Sequence, residues 1–285
     1  MTQLWRRVAI CVDDFGLHAA VNQGAWQLVE LGRVSALACM STAPAWTDAA
    51  ARLRAHGAGL VDAGLHLNLT ESFEPGRWRR GLGGLILSAS GRCLPVRRVR
   101  EEIAAQLDAF EKHVGEPPRF VDGHQHVHQL PQVREILLQE LLRRYPAHRP
   151  WLRDTRPPAG SPDDAAFKPR LVGALGAAGL ADLALSLGFA QNRSMLGVYG
   201  FGDTAQEYAD RLERWCEGLP DGGLLICHAA SHAPPGDSIG AARAREFEVL
   251  VGESFGRRLQ EQRLSVERLS DQLSVRPPAG ISLRR

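Results

Sequence analysis

Side chains that bind metal ions and move protons cluster at four points of this 285-residue sequence, each directly after an apolar run. The clusters are Asp13-Asp14, GLHLNLT with His66 and Asn68, FVDGHQHVHQLP with Asp122, His124, His126 and His128, and LLICHAASH with His228 and His232. Carboxylates and imidazoles are ligands of divalent ions, and an ion with an open coordination position activates water for hydrolysis. The residue types therefore indicate a metal-assisted hydrolytic site.

Asp13 and Asp14 stand side by side at the end of the apolar run from Val8 to Val12. Consecutive residues of a regular strand point to opposite faces, so both carboxylates can turn inward only where the strand ends. At such a junction, one carboxylate can bind a cation while its neighbour stays free as a base. We therefore expect the two residues to divide these tasks.

The polar residues from Asp122 to His128 recur at every second position, which predicts that they share one face of a strand. At ~3.3 Å of rise per residue, His124 and His128 would lie roughly 13 Å apart. Metal–nitrogen bonds are about 2 Å long, so one ion cannot bind all of these histidines. We expect one of them to be a ligand together with Asp14 and His66. Asp122 or a neighbouring histidine would hold that ligand in orientation.

Apolar runs typical of strands alternate with helical patterns along the chain, which predicts an α/β fold with mostly parallel strands. The predicted strands are residues 7–12, 34–40, 59–69, 119–122, 151–154, 183–187, 223–227 and 264–266, and the clearest helices are residues 20–31, 99–114, 131–145 and 241–262. The C-terminal ends of parallel strands meet at one edge, so the four distant clusters can converge there. The pattern fits a complete or distorted (β/α) barrel and an open doubly wound sheet equally well.

Residues 1–270 are predicted to form a single domain, with a loop insertion near residues 72–95 and a mobile tail at residues 271–285. The insertion is rich in Gly, Arg and Trp and is interpreted as a long loop that faces the substrate. Trp46 and Trp78 are candidates for stacking on a sugar ring. Cysteines 11, 39 and 227 are interpreted as small core residues, and His18, His56, His113 and His148 as structural or surface residues.

Charge and hydropathy exclude several classes of partner. Lys and Arg number 34 against 32 for Asp and Glu, a net charge of +2 that does not favour a nucleic-acid surface. No run approaches the ~20 apolar residues of a membrane span, and the first residues lack the apolar stretch of a secretory signal. We therefore expect a cytoplasmic protein without a nucleic-acid partner. Its oligomeric state is open, a homo-oligomer included.

Three of these motifs together resemble the YdjC-like carbohydrate deacetylase family, which includes chitooligosaccharide deacetylases and a branch associated with hopanoid biosynthesis. They are Asp13-Asp14-Phe15-Gly16-Leu17 with Asn22 and Gly24, Gly64-Leu65-His66-Leu67-Asn68-Leu69-Thr70, and Asp122-Gly123-His124-Gln125-His126-Val127-His128-Gln129-Leu130-Pro131. The resemblance extends from about Val8 to His228. It implies a distorted (β/α) barrel and removal of acetyl groups from N-acetylated sugars. It also implies one divalent metal ion, usually magnesium, although zinc or another transition metal suits the same ligands.

The resemblance also implies roles for individual residues. Asp14, His66 and His124 would be the metal ligands, Asp13 the catalytic base, and His228 the donor of a proton to the departing amine. Arg153 resembles an arginine that follows the next strand, and it is expected to support the ligands or contact substrate together with Asp122, His126, His128 and Asn68. The chain departs from the family in one place, because His228-Ala229-Ala230 stands where the family usually has His-Pro-Gly or His-Pro-Ala.

Two other functions are compatible with these residues. A metal-dependent phosphoesterase would use the same ligands with a second metal ion and with basic groups such as Arg77, Arg79 and Arg80. A non-catalytic sugar-binding protein would keep the metal site without turnover. The sequence does not identify the acetylated substrate: a chitooligosaccharide, the headgroup of a glycolipid and other acetylated compounds are all compatible with it.

Overall fold

The computed structural model describes residues 4–73, 76–160 and 172–274. Its strands are β1 (Arg6–Phe15), β2 (Ala36–Cys39), β3 (Asp62–Leu67), β4 (Phe120–Gly123), β5 (Trp151–Leu152), β6 (Met195–Leu196), β7 (Gly223–Cys227) and β8 (Leu264–Val266). They form one parallel sheet in the order β5-β4-β3-β2-β1-β7-β6, and β8 pairs with the first residues of β1. The predicted α/β fold with mostly parallel strands is confirmed.

The sheet curls into a distorted barrel, because hydrogen bonds join its two edges. The N–H of Leu152 donates to the carbonyl of Ala190 at 2.9 Å, and the N–H of Met195 donates to the carbonyl of Arg156 at 2.8 Å. These bonds connect β5 to the segment that leads into β6 without forming a regular ladder. The C-terminal ends of the strands therefore surround one shared opening.

The helices are α1 (Ala19–Glu30), α2 (Trp46–His56), α3 (Leu82–Ser90), α4 (Val96–Val114), α5 (Val133–Arg144), α6 (Ala177–Ser186), α7 (Ala205–Gly218), α8 (Gly240–Val251), α9 (Glu253–Glu261) and α10 (Leu269–Ser274). Helices α1 to α9 pack outside the barrel on two large apolar clusters, whereas Leu269 of α10 packs with residues of the barrel interior. None of the described helices is both long and apolar enough to cross a membrane.

Side chains alternate along β1 between these outer clusters and the barrel interior. Val8, Ile10 and Val12 pack toward the helices, whereas Ala9 and Cys11 belong to the interior cluster. Small residues on β1 leave room for the large side chains that complete the interior. The interior cluster also contains Ala36, Ala38, Phe120, Trp151, Met195, Leu224, Ile226 and Leu269. Cysteines 11, 39 and 227 are buried free thiols, as predicted.

Two predicted elements are wrong. Residues 183–187 lie in or next to α6, in which Leu180 and Ala184 are buried one turn apart, and the strand of this region is the two-residue β6. Residues 241–262 do not form one helix, because the extended backbone of Gly252 (φ −63°, ψ 145°) separates α8 from α9.

The insertion near residues 72–95 is not simply a loop, since it contains the helix α3 with Leu85 and Ala89 buried. At the other end of the chain, residues 271–274 belong to α10, and the rest of the predicted tail lies outside the described residues. The division of the chain at residue 270 stays a prediction.

Candidate active site and metal centre

Asp13 and Asp14 both line one cavity because β1 is irregular where it ends. Asp14 has a φ of 64°, and the pairing of β1 with β2 shifts register between Val12 and Phe15. Such a bulge breaks the alternation of side chains along a strand and re-aims the residue that it contains. The expectation that the strand end would turn both carboxylates to the same side is confirmed.

Asp14, His66 and His124 come together at the C-terminal edge of the sheet, and one donor atom of each lies within 4.8 Å of the others. Asp14 Oδ1 is 3.4 Å from His66 Nε2 and 2.8 Å from His124 Nδ1. The three residues belong to β1, to β3 and to the position directly after β4. These are the three side chains that the resemblance implies as metal ligands.

The chemistry of this group fits a divalent cation. His66 Nδ1 lies 2.6 Å from Asp122 Oδ1, so its other ring nitrogen is turned toward Asp14, which is the usual support of a metal-binding imidazole. Burial opposes protonation of His66, yet Asp122 and Asp13 raise its pKa to about 10. Burial opposes protonation of His124 as well, and Asp14 raises its pKa to about 9. The carboxylates thus favour positive charge here, which a bound cation supplies when it replaces the protons.

Asp13, His66 and Asp122 form a second group of close donor atoms, and Arg153 pairs with both of its carboxylates. Its guanidinium is completely buried and donates to Asp13 Oδ2 through Nη1 and to Asp13 Oδ1 through Nη2, both at 2.7 Å. Nη2 also forms an ion pair with Asp122 Oδ2. Asp13 is therefore held in an ion pair, and its role as the base stays a prediction. Burial raises the pKa of Asp13, but the charge of Arg153 outweighs this and holds it below its usual range.

The segment after Gly123 is not a strand, so the predicted shared face from Asp122 to His128 is wrong. Residues His124–Gln129 form a short 3-10 helix in which Gln125 and His126 have φ values of 52° and 60°. His126 lines the cavity, and burial holds its pKa well below the usual value. His128 is buried beside Arg153, where its Nε2 lies 3.1 Å from the Arg153 carbonyl oxygen.

Asn68 acts on the loop after β3 and is not part of the cavity wall. Its Oδ1 accepts from the N–H groups of Thr70 and Glu71, both at 3.0 Å, and its Nδ2 donates to the Glu71 carbonyl at 2.6 Å. These bonds place the Glu71 carboxylate 3.4 Å from His124 Nε2. Asn68 therefore positions Glu71, a cavity residue that no sequence motif predicts.

Arg243 is a second cavity residue that no sequence motif predicts. Its Nη2 donates to Asp14 Oδ2 and its Nε donates to Asp237 Oδ2, both at 2.7 Å. Arg243 thus fixes Oδ2 of Asp14 and leaves Oδ1 facing His66 and His124.

His18 also lines the cavity, 3.5 Å from Asp237, contrary to the expectation of a structural or surface role. A usable signal is the spacing of Arg243 and Glu246, which places both on one face of α8.

His228 lines the cavity directly after β7. Its backbone N–H donates to Glu246 Oε2 at 2.5 Å, and its carbonyl accepts from Arg243 Nη1 at 3.3 Å. Its ring lies edge-on to Phe201, with 5.1 Å between the ring centroids. Burial lowers the pKa of His228 to about 4, against the opposing charges of nearby carboxylates.

The loop after His228 is fixed by hydrogen bonds and close packing in the absence of the family's proline. The N–H of Ala230 donates to the carbonyl of Arg243 at 3.1 Å, and the N–H of Ser231 donates to the carbonyl of Ala20 at 2.9 Å. Gly24 of α1 lets this helix lie directly against the loop, because a Cβ atom at this position would be only 2.6 Å from the backbone nitrogen of Ser231. The departure His228-Ala229-Ala230 therefore leaves an ordered loop.

Most of these side chains line one cavity of about 600 Å³. Much of the remaining wall is apolar and is formed by Leu17, Phe73, Leu82, Ile86, Val172, Leu175, Val198, Phe201, Ile226 and Ile239. Leu82 and Ile86 belong to α3, so the insertion contributes to the wall. Trp46 is buried against Phe110, with 5.6 Å between the ring centroids, and neither it nor Trp78 is part of the wall.

Residues 7–261 match the family described as YdjC-like protein. The chain belongs to the YdjC-like family, as the motifs predict. It is 32% identical over 150 residues to a carbohydrate deacetylase of Homo sapiens, which covers 47% of this chain and 45% of the relative. It is 31% identical over 138 residues to a chitooligosaccharide deacetylase of Escherichia fergusonii, which covers 46% and 54%. The chain spans about half the length of the curated relatives it matches.

A solved structure supports the fold. The crystal structure of an Enterococcus faecalis protein proposed to cleave cellobiose phosphate is similar to this chain with a TM-score of 0.66 and 19% identity, over 94% of this chain and 98% of that one.

Proposed function

We propose that the protein is a metal-dependent hydrolase that removes the acetyl group from an N-acetylated sugar. The observation that carries this proposal is the convergence of Asp14, His66 and His124, with His66 oriented by the buried carboxylate of Asp122. Membership in the YdjC-like family and the names of the relatives agree with it.

Asp14, His66 and His124 would hold the ion. When bound, a divalent ion lowers the pKa of a water molecule and polarises the acetyl carbonyl. Magnesium is the ion that the family resemblance implies, whereas two imidazole nitrogens are ligands that zinc and other transition metals prefer. Reconstitution of the metal-free protein with magnesium, zinc or another transition metal, followed by measurement of acetate release, shows which ion supports activity.

Two residues of the cavity wall would move protons. Asp13 accepts the proton of the attacking water, since its ion pair with Arg153 keeps the carboxylate ionised at neutral pH. His228 lines the same cavity, close enough for the charges of Asp13 and Asp14 to act on it, and gives a proton to the departing amine. Arg153, Asp122 and Arg243 hold the carboxylates and His66 in these orientations.

The apolar wall favours a substrate with an apolar portion, such as a glycolipid headgroup, over a chain of sugars alone. A polysaccharide presents many hydroxyl groups that need hydrogen-bond partners when they are buried. Besides its polar residues, the cavity wall contains ten leucine, isoleucine, valine and phenylalanine side chains. We therefore propose an acetylated amino sugar whose other end is apolar.

Acetate release from N-acetylated sugars by the metal-replete protein tests the activity. Release of phosphate instead would favour the phosphoesterase, and binding without release would favour the sugar-binding protein. The position of Arg153 argues against a two-metal phosphoesterase, because its guanidinium already neutralises the carboxylates of Asp13 and Asp122, where a second ion would bind. The basic group Arg77 is paired with Glu102, with 2.6 Å between Nη2 and Oε1.

A further inference from the structure

Glu246 on α8 is a completely buried carboxylate beside His228. Its Oε2 accepts from the backbone N–H of His228 at 2.5 Å, and its Oε1 accepts from the hydroxyl of Tyr199 at 2.7 Å. The ring nitrogen Nδ1 of His228 lies 4.0 Å from Oε1. One carboxylate therefore fixes the backbone of His228 and stands next to its ring.

The ring nitrogen Nδ1 of His228 is buried and has no hydrogen-bond partner among the residues that the structure describes. A buried nitrogen of this kind is costly unless it gains a partner during function. Glu246 Oε1 comes within hydrogen-bond distance if the separation shortens to about 3 Å. The edge-on contact with Phe201 restrains the ring from another side.

Charged and titratable groups from several elements face this pair. Burial raises the pKa of Glu246 to about 7, while its bonds to His228 and Tyr199 and the charge of Arg243 act in the opposite direction. Burial lowers the pKa of His228 to about 4. The other groups that face the pair are Asp13 and Asp14 on β1, His66 on β3, Tyr208 on α7 and Cys227 on β7. Between these two pKa values the pair binds one titrating proton, and the carboxyl group of Glu246 carries it.

We propose that Glu246 stores the proton that His228 gives to the departing amine, and that it positions His228 for this transfer. The inference rests on the proposed deacetylation. As the carbon–nitrogen bond of the acetamide breaks, the His228 Nε2–H bond breaks and a new N–H bond forms on the amine. At the same time the O–H bond of Glu246 breaks and an N–H bond forms at His228 Nδ1. Glu246 is left as a carboxylate and regains a proton from solvent.

The substitution Glu246→Gln tests the proton store, because the amide keeps the size and one acceptor oxygen but cannot titrate. We expect kcat at pH 7 to fall by at least about tenfold with little change in KM. In the wild type, kcat should decline as the pH rises through about 7, the value to which burial raises the pKa of Glu246. In the variant this decline should move to lower pH by more than one unit, toward the pKa of His228 alone.

Tyr199→Phe should move the same decline in the opposite direction. Loss of its hydroxyl removes a bond that favours the ionised carboxylate, so the pKa of Glu246 rises further. Tyr208→Phe is the matched control, since it removes a hydroxyl from the same buried aromatic group without removing a hydrogen bond to Glu246. Its pH profile should equal that of the wild type.

An active Glu246→Gln protein with unchanged kcat and pH profile would overturn the inference. If Glu246→Gln is not recovered folded, Tyr199→Phe decides: a decline of kcat at higher pH than in the wild type supports the inference, and an unchanged or lower pH overturns it. Titration of the His228 ring by NMR gives a second measurement, because its pKa should differ between the wild type and Glu246→Gln even without turnover. A wild-type protein that releases no acetate would instead contradict the proposed function.

Discussion

Arg153 and Asp13 form a bidentate ion pair that is entirely buried at the C-terminal edge of the barrel. The same guanidinium pairs with Asp122, the residue that orients His66. The side chain of Arg153, directly after β5, thus links Asp13, the proposed base, to Asp122, the support of the proposed ligand His66. Removal of one partner of a buried pair leaves an uncompensated charge, which costs about 3–5 kcal/mol of stability.

Arg153→Met should therefore lower the free energy of unfolding by about 3–5 kcal/mol. Urea denaturation followed by circular dichroism measures this. Arg97→Met is a suitable control, because Arg97 is exposed and forms an ion pair with Glu101 one turn away, so its loss should cost less than about 0.5 kcal/mol. Equal losses in the two variants would show that the buried pair does not stabilise the fold.

Asp122→Asn should weaken metal binding although Asp122 is not itself a proposed ligand. The amide no longer holds His66 Nδ1 as a carboxylate does, and loss of such support lowers metal affinity by about 10–100-fold. Isothermal titration of the metal-free protein measures the affinity. His126→Gln changes a ring of the same cavity wall outside the proposed ligand group and should bind metal as the wild type does.

Asp13→Asn and Asp14→Asn should have different effects although the two residues are neighbours. Asp13→Asn removes the proposed proton acceptor, so acetate release should fall by at least about 100-fold while metal is still bound. Asp14→Asn removes a proposed ligand and should lose both metal and activity. Full activity of Asp13→Asn would exclude Asp13 as the base.

The proposed ligands are predictable from sequence because each one lies in a short motif at a strand end. Asp122 and Arg153, which support them, also lie at strand ends and are predictable. Arg243 and Glu246 belong to no motif, because they reach the site from α8, where Arg243 contacts Asp14 and Glu246 contacts His228. The backbone after Gly123 is also unpredictable, because Gln125 and His126 adopt positive φ without a glycine to signal it. The leucines of residues 183–187 form an apolar run that resembles a strand. In the structure this run is helical, because a helix buries Leu180 and Ala184 on one face.

Metal content should be one ion per chain. The carboxylates of Asp13 and Asp122 are neutralised by the buried guanidinium of Arg153. A second divalent ion at these carboxylates would have to displace the guanidinium, at a high cost in charge repulsion. Elemental analysis of the dialysed protein gives the ratio of metal to chain. Two metal ions per chain would favour a two-metal phosphoesterase over the proposed deacetylase.

Ile86 should contribute to a preference for substrates with an apolar end. Each CH₂ group buried from water contributes about 0.8 kcal/mol, so each added methylene of an alkyl glycoside of N-acetylglucosamine that enters the cavity should raise kcat/KM roughly fourfold. Ile86→Ser should reduce this gain, because Ile86 lines the cavity. Leu87→Ser is the matched control, since Leu87 is the next residue of α3 and its side chain is 76% exposed. A series in which kcat/KM does not rise with alkyl length, while chitooligosaccharides are cleaved faster with each added sugar, would contradict the apolar substrate and favour an oligosaccharide.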